Sequence, residues 1–122
     1  MKYQGKEDNF QITCMSYLAR FFPELEAIHV PNEGIKVEGN KAIIYGAKRK
    51  AKGVKKGVPD ILIFDTAGLF KGLAVELKVD GGKVSKEQNE FMERMKKRGW
   101  ATEICWSVDE FVNVIDKYYK KY

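Results

Sequence analysis

The 122 residues predict a single α/β domain, a central mixed β-sheet flanked by helices in the order α-β-β-β-α-β-α. Three observations carry this. Val58 to Asp65 and Gly72 to Val79 read as paired strands. Ser85-Lys86-Glu87-Gln88 and Ser107-Val108-Asp109-Glu110 are capping boxes, each opening a stretch with helical spacing of apolar residues. Ala101 to Trp106 reads as a further strand between those two helices, so strands and helices alternate along the C-terminal half.

In chain order, Glu7 to Phe22 carries Phe10, Cys14, Leu18 and Phe21 at helical spacing, and Pro23 stops that helix. Ala27 to Pro31 is a short strand. From Asn32 to Gly57 two patterns compete: Ala42-Ile43-Ile44-Tyr45 suits a strand, and Ala47 to Lys52 suits a short exposed helix. Thr66-Ala67-Gly68-Leu69-Phe70-Lys71 joins the paired strands. The second of these, Leu73 to Val79, is apolar except at Glu76 and Lys78, as expected of a strand covered on both faces. Asp80-Gly81-Gly82-Lys83 is a turn. Gln88 can reach back to the cap at Ser85, and Lys96, Lys97 and Arg98 favour the helix C-terminus that Gly99 closes. The last helix places Phe111, Val112, Ile115 and Tyr119 on one side.

Hydrophobic residues make up 44% and charged residues 32%, which suits an ordinary globular domain. No apolar run approaches the roughly 20 residues of a membrane helix, and residues 1–6 lack the apolar region of a signal peptide. Cys14 and Cys105 form no CxxC pair and point to a reducing cytosol without a disulfide framework. His29 is the only histidine, which excludes zinc sites built on paired His or Cys/His and catalysis that needs several histidines.

The net charge is +5. Lys48, Arg49, Lys50, Lys52, Lys55 and Lys56 place six cations in nine residues, and the run ends at Gly57-Val58-Pro59-Asp60. Alone, such a run is usually a solvated loop. Beside a carboxylate, phosphate contact is the favoured reading, which makes these six residues candidates for DNA binding.

Fifteen residues separate Asp60 from Glu76, and Lys78 follows two positions later. A strand puts Glu76 and Lys78 on one face. If the strands pair as neighbours, Asp60 joins them. Asp60 could otherwise be a turn residue after Pro59, and Glu76 with Lys78 a surface ion pair. Two charges in a nearly apolar strand need a stronger reason, because burying charge is costly unless it is paired or bound to metal. Mg²⁺ takes hard oxygen ligands: Asp60, Glu76 and the backbone carbonyl of Leu77 are the candidates. Lys78 could hold the attacking water and stabilise negative charge on the phosphate. Glu7 begins the stripe Glu7, Gln11, Cys14, Leu18, Phe21, so it either reaches the metal site or favours the positive end of its helix. Gln88 either faces the sheet with Val84, Phe91 and Met95 or serves as the partner of Ser85 in the cap.

These residues resemble the PD-(D/E)xK nuclease superfamily, and within it the VRR-NUC branch. The resemblance rests on Glu7 with Gln11, His29-Val30-Pro31-Asn32, Gly57-Val58-Pro59-Asp60, Glu76-Leu77-Lys78, Ser85-Lys86-Glu87-Gln88, Gly99 and Ser107-Val108-Asp109-Glu110. It implies a restriction-endonuclease-like core with Asp60, Glu76 and Lys78 as the catalytic triad. It also implies Mg²⁺ or Mn²⁺, with Glu7 and Gln88 as accessory active-site residues. The small stand-alone members it resembles are phage and bacterial proteins that act as homodimers on branched DNA, much like Holliday junction resolvases. The expectation is therefore a cytoplasmic endonuclease of a bacterial or phage-infected cell, with Tyr118, Tyr119 and Tyr122 as exposed candidates for the dimer contact. The competing expectations are a flap endonuclease or nickase with the same site, a non-catalytic DNA-binding module and an RNA-directed nuclease.

Overall fold

The computed structural model describes residues 2–31 and 39–120, with side chains from residue 5 onward. Asn32 and Tyr122 lie outside the described residues. The elements are α1 (Lys2–Phe21), β1 (Ala27–His29), α2 (Asn40–Ala51), β2 (Ile61–Ile63), β3 (Leu73–Leu77), α3 (Lys86–Lys97), β4 (Ala101–Cys105) and α4 (Val108–Tyr119). The sheet order is β1-β2-β3-β4. β1 and β2 are antiparallel, β2 and β3 are antiparallel, and β3 and β4 are parallel. The sheet is therefore mixed, and α3 is the crossover that a parallel pair requires.

The expected order is corrected at one place. A helix, α2, stands between β1 and β2, and it takes in the Ala42-Ile43-Ile44-Tyr45 stretch. None of its residues is buried, and Ile43 and Ile44 are exposed. Little tertiary packing bears on this segment, so local propensity decides in favour of the helix.

Alternation along the strands sorts the sheet into two faces. Ile61, Ile63, Leu73, Val75, Ala101 and Cys105 share one face and pack with Cys14 and Leu18 of α1 and Phe111, Ile115 and Tyr119 of α4. The other face carries Leu62, Ala74, Glu76 and Ile104, and α3 lies over it. β3 is thus covered on both sides, which is why it is apolar on both faces except at Glu76.

Both capping serines accept the N3 backbone N–H at 3.1 Å, Ser85 from Gln88 and Ser107 from Glu110. Glu110 sends its carboxylate one residue further back than a standard box, to the N–H of Trp106 at 2.7 Å. Ser107→Ala is expected to cost about 1 kcal/mol. For a domain of this size that is a Tm loss of roughly 3–6 °C in calorimetry, with Ser107→Asp holding the wild-type value.

Tyr118 and Tyr119 are not the exposed surface expected of them. Tyr119 is buried and its hydroxyl donates to the Asp65 carbonyl at 2.8 Å. The half-buried Tyr118 donates to Glu103 Oε2 at 2.6 Å. Aromatic side chains on the inner stripe of α4 are drawn into the core, where a buried hydroxyl needs a partner.

Candidate active site

Strand register brings the two carboxylates together. Ile61 lies opposite Val75 in the antiparallel β2–β3 pair, so one step toward the open end of the ladder sets Asp60 beside Glu76 on the α3 face. Asp60 Oδ2 accepts the Leu77 N–H at 2.8 Å, which ties the carboxylate across the pair. From the other side, the Asp60 carbonyl accepts the Val30 N–H at 2.7 Å. His29 Nδ1 lies 3.1 Å from the same oxygen and donates to it as the Nδ1–H tautomer. His29 therefore supports Asp60 through its main chain. The motif containing it was visible in the sequence, but nothing local to it pointed at Asp60.

Lys78 follows Glu76 on the same face, and its Nζ lies 3.5 Å from Glu76 Oε2. Gln88 satisfies both roles that its position suggests. Its Oε1 accepts the Ser85 N–H at 2.8 Å while its Nε2 donates to Glu76 Oε2 at 2.7 Å. The capping box thus fixes the amide so that its donor end points at the carboxylate.

The turn before Asp60 is braced against the same helix. Gly57 has φ +84°, and a Cβ there would come within 2.4 Å of the Glu87 carbonyl oxygen. Only a glycine lets the loop that leads into Asp60 rest on the first turn of α3, which presents Gln88.

Glu76 is 3% exposed. Burial pushes its carboxyl up to about 8, the nearby charge of Asp60 acts in the same direction, and Lys78 opposes them. Folded Glu76 therefore holds its proton more tightly than it does in the unfolded chain. Its contribution to stability is present at low pH and is lost as pH rises from the ordinary carboxylate range toward 8. In EDTA, wild type is expected to lose roughly 3 kcal/mol relative to Glu76→Gln between pH 4.5 and 8. Urea titrations of both proteins across that range check this; parallel pH profiles would remove Glu76 as the cause.

Among the described residues, none donates a hydrogen bond to the buried Glu76 Oε1. An oxygen without a donor, beside a second carboxylate that repels it, is what a divalent cation relieves, so the donor set fits Mg²⁺ or Mn²⁺. Asp60, Glu76 and the Leu77 carbonyl are the protein oxygens available. Among the described residues no group of three His, Cys, Asp or Glu side chains forms. Glu7 in particular is not drawn in: it is exposed and lies five residues into α1, whose first turn carries no acid. The helix begins earlier than its apolar stripe suggests, which places Glu7 away from the positive end as well.

The basic run occupies the end of α2 and the loop to Gly57. Lys48, Lys50, Lys52, Lys55 and Lys56 are exposed, and Arg49 is half-buried with its guanidinium 5.5 Å from the Tyr45 ring centre.

A family model described as the VRR-NUC domain matches residues 14–109. The chain belongs to the VRR-NUC family. A solved structure titled "VRR_NUC domain protein" is 29% identical, with a TM-score of 0.75 over 93% of this chain and 88% of that one. No curated protein matches the chain. The VRR-NUC domain is of nuclease type, and its match spans Asp60, Glu76, Lys78 and Gln88. Among the described residues no helix is long and apolar enough to cross a membrane.

Proposed function

We propose that this VRR-NUC domain is a Mg²⁺- or Mn²⁺-dependent endodeoxyribonuclease that hydrolyses phosphodiester bonds in branched DNA, acting as a homodimer on four-way (Holliday) junctions. One observation carries the reading: Asp60, Glu76, Lys78 and Gln88 converge at one end of the sheet, with a buried Glu76 oxygen that no donor among the described residues meets.

Asp60, Glu76 and the Leu77 carbonyl would hold the cation. When bound, it supplies the charge that acidifies a water molecule and neutralises the scissile phosphate. Lys78 orients the attacking water and offers positive charge where negative charge builds on phosphorus. Gln88 holds the Glu76 carboxylate in place through the 2.7 Å hydrogen bond from Nε2. Lys48, Arg49, Lys50, Lys52, Lys55 and Lys56 form a basic segment that leads into the site, with its lysines exposed and suited to the sugar-phosphate backbone. A homodimer matches the two-fold symmetry of a four-way junction and delivers two opposed cuts.

The test is a gel assay on end-labelled four-way junction, flap, nicked and linear duplex DNA in Mg²⁺, Mn²⁺ or EDTA. Paired, metal-dependent cuts in the junction support the resolvase reading. Cuts confined to flap or nicked substrates move the assignment to a flap endonuclease or nickase with the same site. Salt-sensitive binding without any cut leaves a non-catalytic binding module.

A further inference from the structure

The pole of the sheet that carries the carboxylates also presents an aromatic side chain that hydrolysis does not use. The Lys78 N–H donates to the Cys105 carbonyl at 2.9 Å, so the chain leaving β4 runs alongside Lys78, and its next residue is Trp106. Cys105, paired with Leu77, is buried on the face that α1 and α4 cover. The alternation of an extended chain turns the following residue toward the opposite face, the one shared by Glu76, Lys78 and α3.

Trp106 is 42% exposed, yet its main chain is firmly held. Its N–H donates to Glu110 Oε1 at 2.7 Å, β4 precedes it, and Ser107 caps α4 directly after it. Trp100 is different. It packs edge-on to Phe64 with ring centres 5.8 Å apart and crowds Gly72, at the other pole of the sheet. An indole kept open by two anchored elements loses little freedom on meeting a ligand, and a flat π-face is what a nucleobase stacks on. Exposed Lys83 and Lys86, in the loop and first turn of α3, offer phosphate contacts at the same pole.

Resting on the DNA-nuclease reading above, we infer that Trp106 is a substrate-contacting residue that stacks on an unstacked base at a branch point beside the scissile phosphate. Stacking accepts any base, so it selects for DNA structure and not for sequence. Continuous duplex offers no free base face and gains nothing from the contact.

The experiment uses the full chain as wild type, Trp106→Ala, Trp106→Phe and Trp100→Phe, with four-way junction, flap and linear duplex of equal length. In Trp100→Phe the only remaining tryptophan is Trp106, and in EDTA its emission is expected to be quenched by junction or flap but not by linear duplex. In Mg²⁺ or Mn²⁺, Trp106→Ala is expected to raise KM for branched DNA roughly tenfold or more, while kcat and linear-duplex affinity stay within about twofold. Trp106→Phe, which keeps a π-face, restores most of the loss. An unchanged ratio of branched to linear affinity in Trp106→Ala, or emission that branched DNA leaves unaltered, overturns the inference. If wild type neither binds nor cuts any of these DNAs, the DNA-nuclease reading itself fails and the inference falls with it.

Discussion

Asp60→Asn is expected to abolish cleavage, on the order of 10³-fold or more, which corresponds to about 4 kcal/mol of lost transition-state stabilisation. DNA binding is expected to survive. The amide still offers an oxygen to the Leu77 N–H, so the 2.8 Å link across the strands has a replacement. What disappears is the negative charge. That charge also holds the Glu76 carboxyl up, so its removal relieves a like-charge contact beside a buried group. The variant is therefore expected to be as stable as wild type or more so at pH 8 in EDTA, while it is inactive in Mg²⁺ or Mn²⁺. Lys78→Ala should be equally inactive but shift stability the other way, because it strips Glu76 of its compensating cation. Gel cleavage and urea unfolding of the two variants, side by side, give the comparison. Wild-type cleavage in both would defeat the catalytic assignment.

Gly57→Ala is expected to damage fold and site together. The new Cβ meets the Glu87 carbonyl oxygen and carbon and the Gln88 nitrogen, all backbone atoms that no rotamer change can move aside. The positive φ adds the strain of a left-handed conformation, about 1–2 kcal/mol. Together these should cost roughly 3 kcal/mol of stability. Displacing the first turn of α3 shifts Gln88 away from Glu76, and a misplacement near 1 Å at a reacting centre lowers turnover by roughly 10²-fold. Gly53→Ala separates the two causes. Gly53 also has positive φ, at +95°, but has nothing within 4 Å of a Cβ. It should lose only the conformational part and cleave at the wild-type rate below its Tm. Equal turnover in the two alanine variants would show that the brace on α3 does not matter.

Much of this was legible along the chain because the physics responsible is local. The serine caps, the glycine ending α3 at φ +91° and the apolar run of β3, interrupted only by Glu76, are written in neighbouring residues, and each appears where the pattern put it. The pairing of β2 with β3 followed from two short strands with a turn between them, and it carried Asp60 to Glu76. Other features depended on partners far away in sequence. α2 takes in a stretch whose pattern suited strand or helix, and none of its residues is buried. Tyr118 and Tyr119 looked like surface residues until Glu103 and Asp65 supplied their partners. Glu7 stood at the start of a stripe, yet the helix extends beyond it and leaves it in solvent.

From the sequence alone came the α/β class, the helix caps and the choice of Asp60, Glu76 and Lys78, since spacing, turn chemistry and charge in an apolar strand are properties of the chain itself. The tertiary structure alone decided that Gln88 serves both its cap and Glu76, that His29 supports Asp60, that Glu7 is exposed and that Trp106 is exposed where the chain leaves β4. Those outcomes depend on strand register and on how α3 seats against the sheet, and burial of apolar surface over the whole domain sets both.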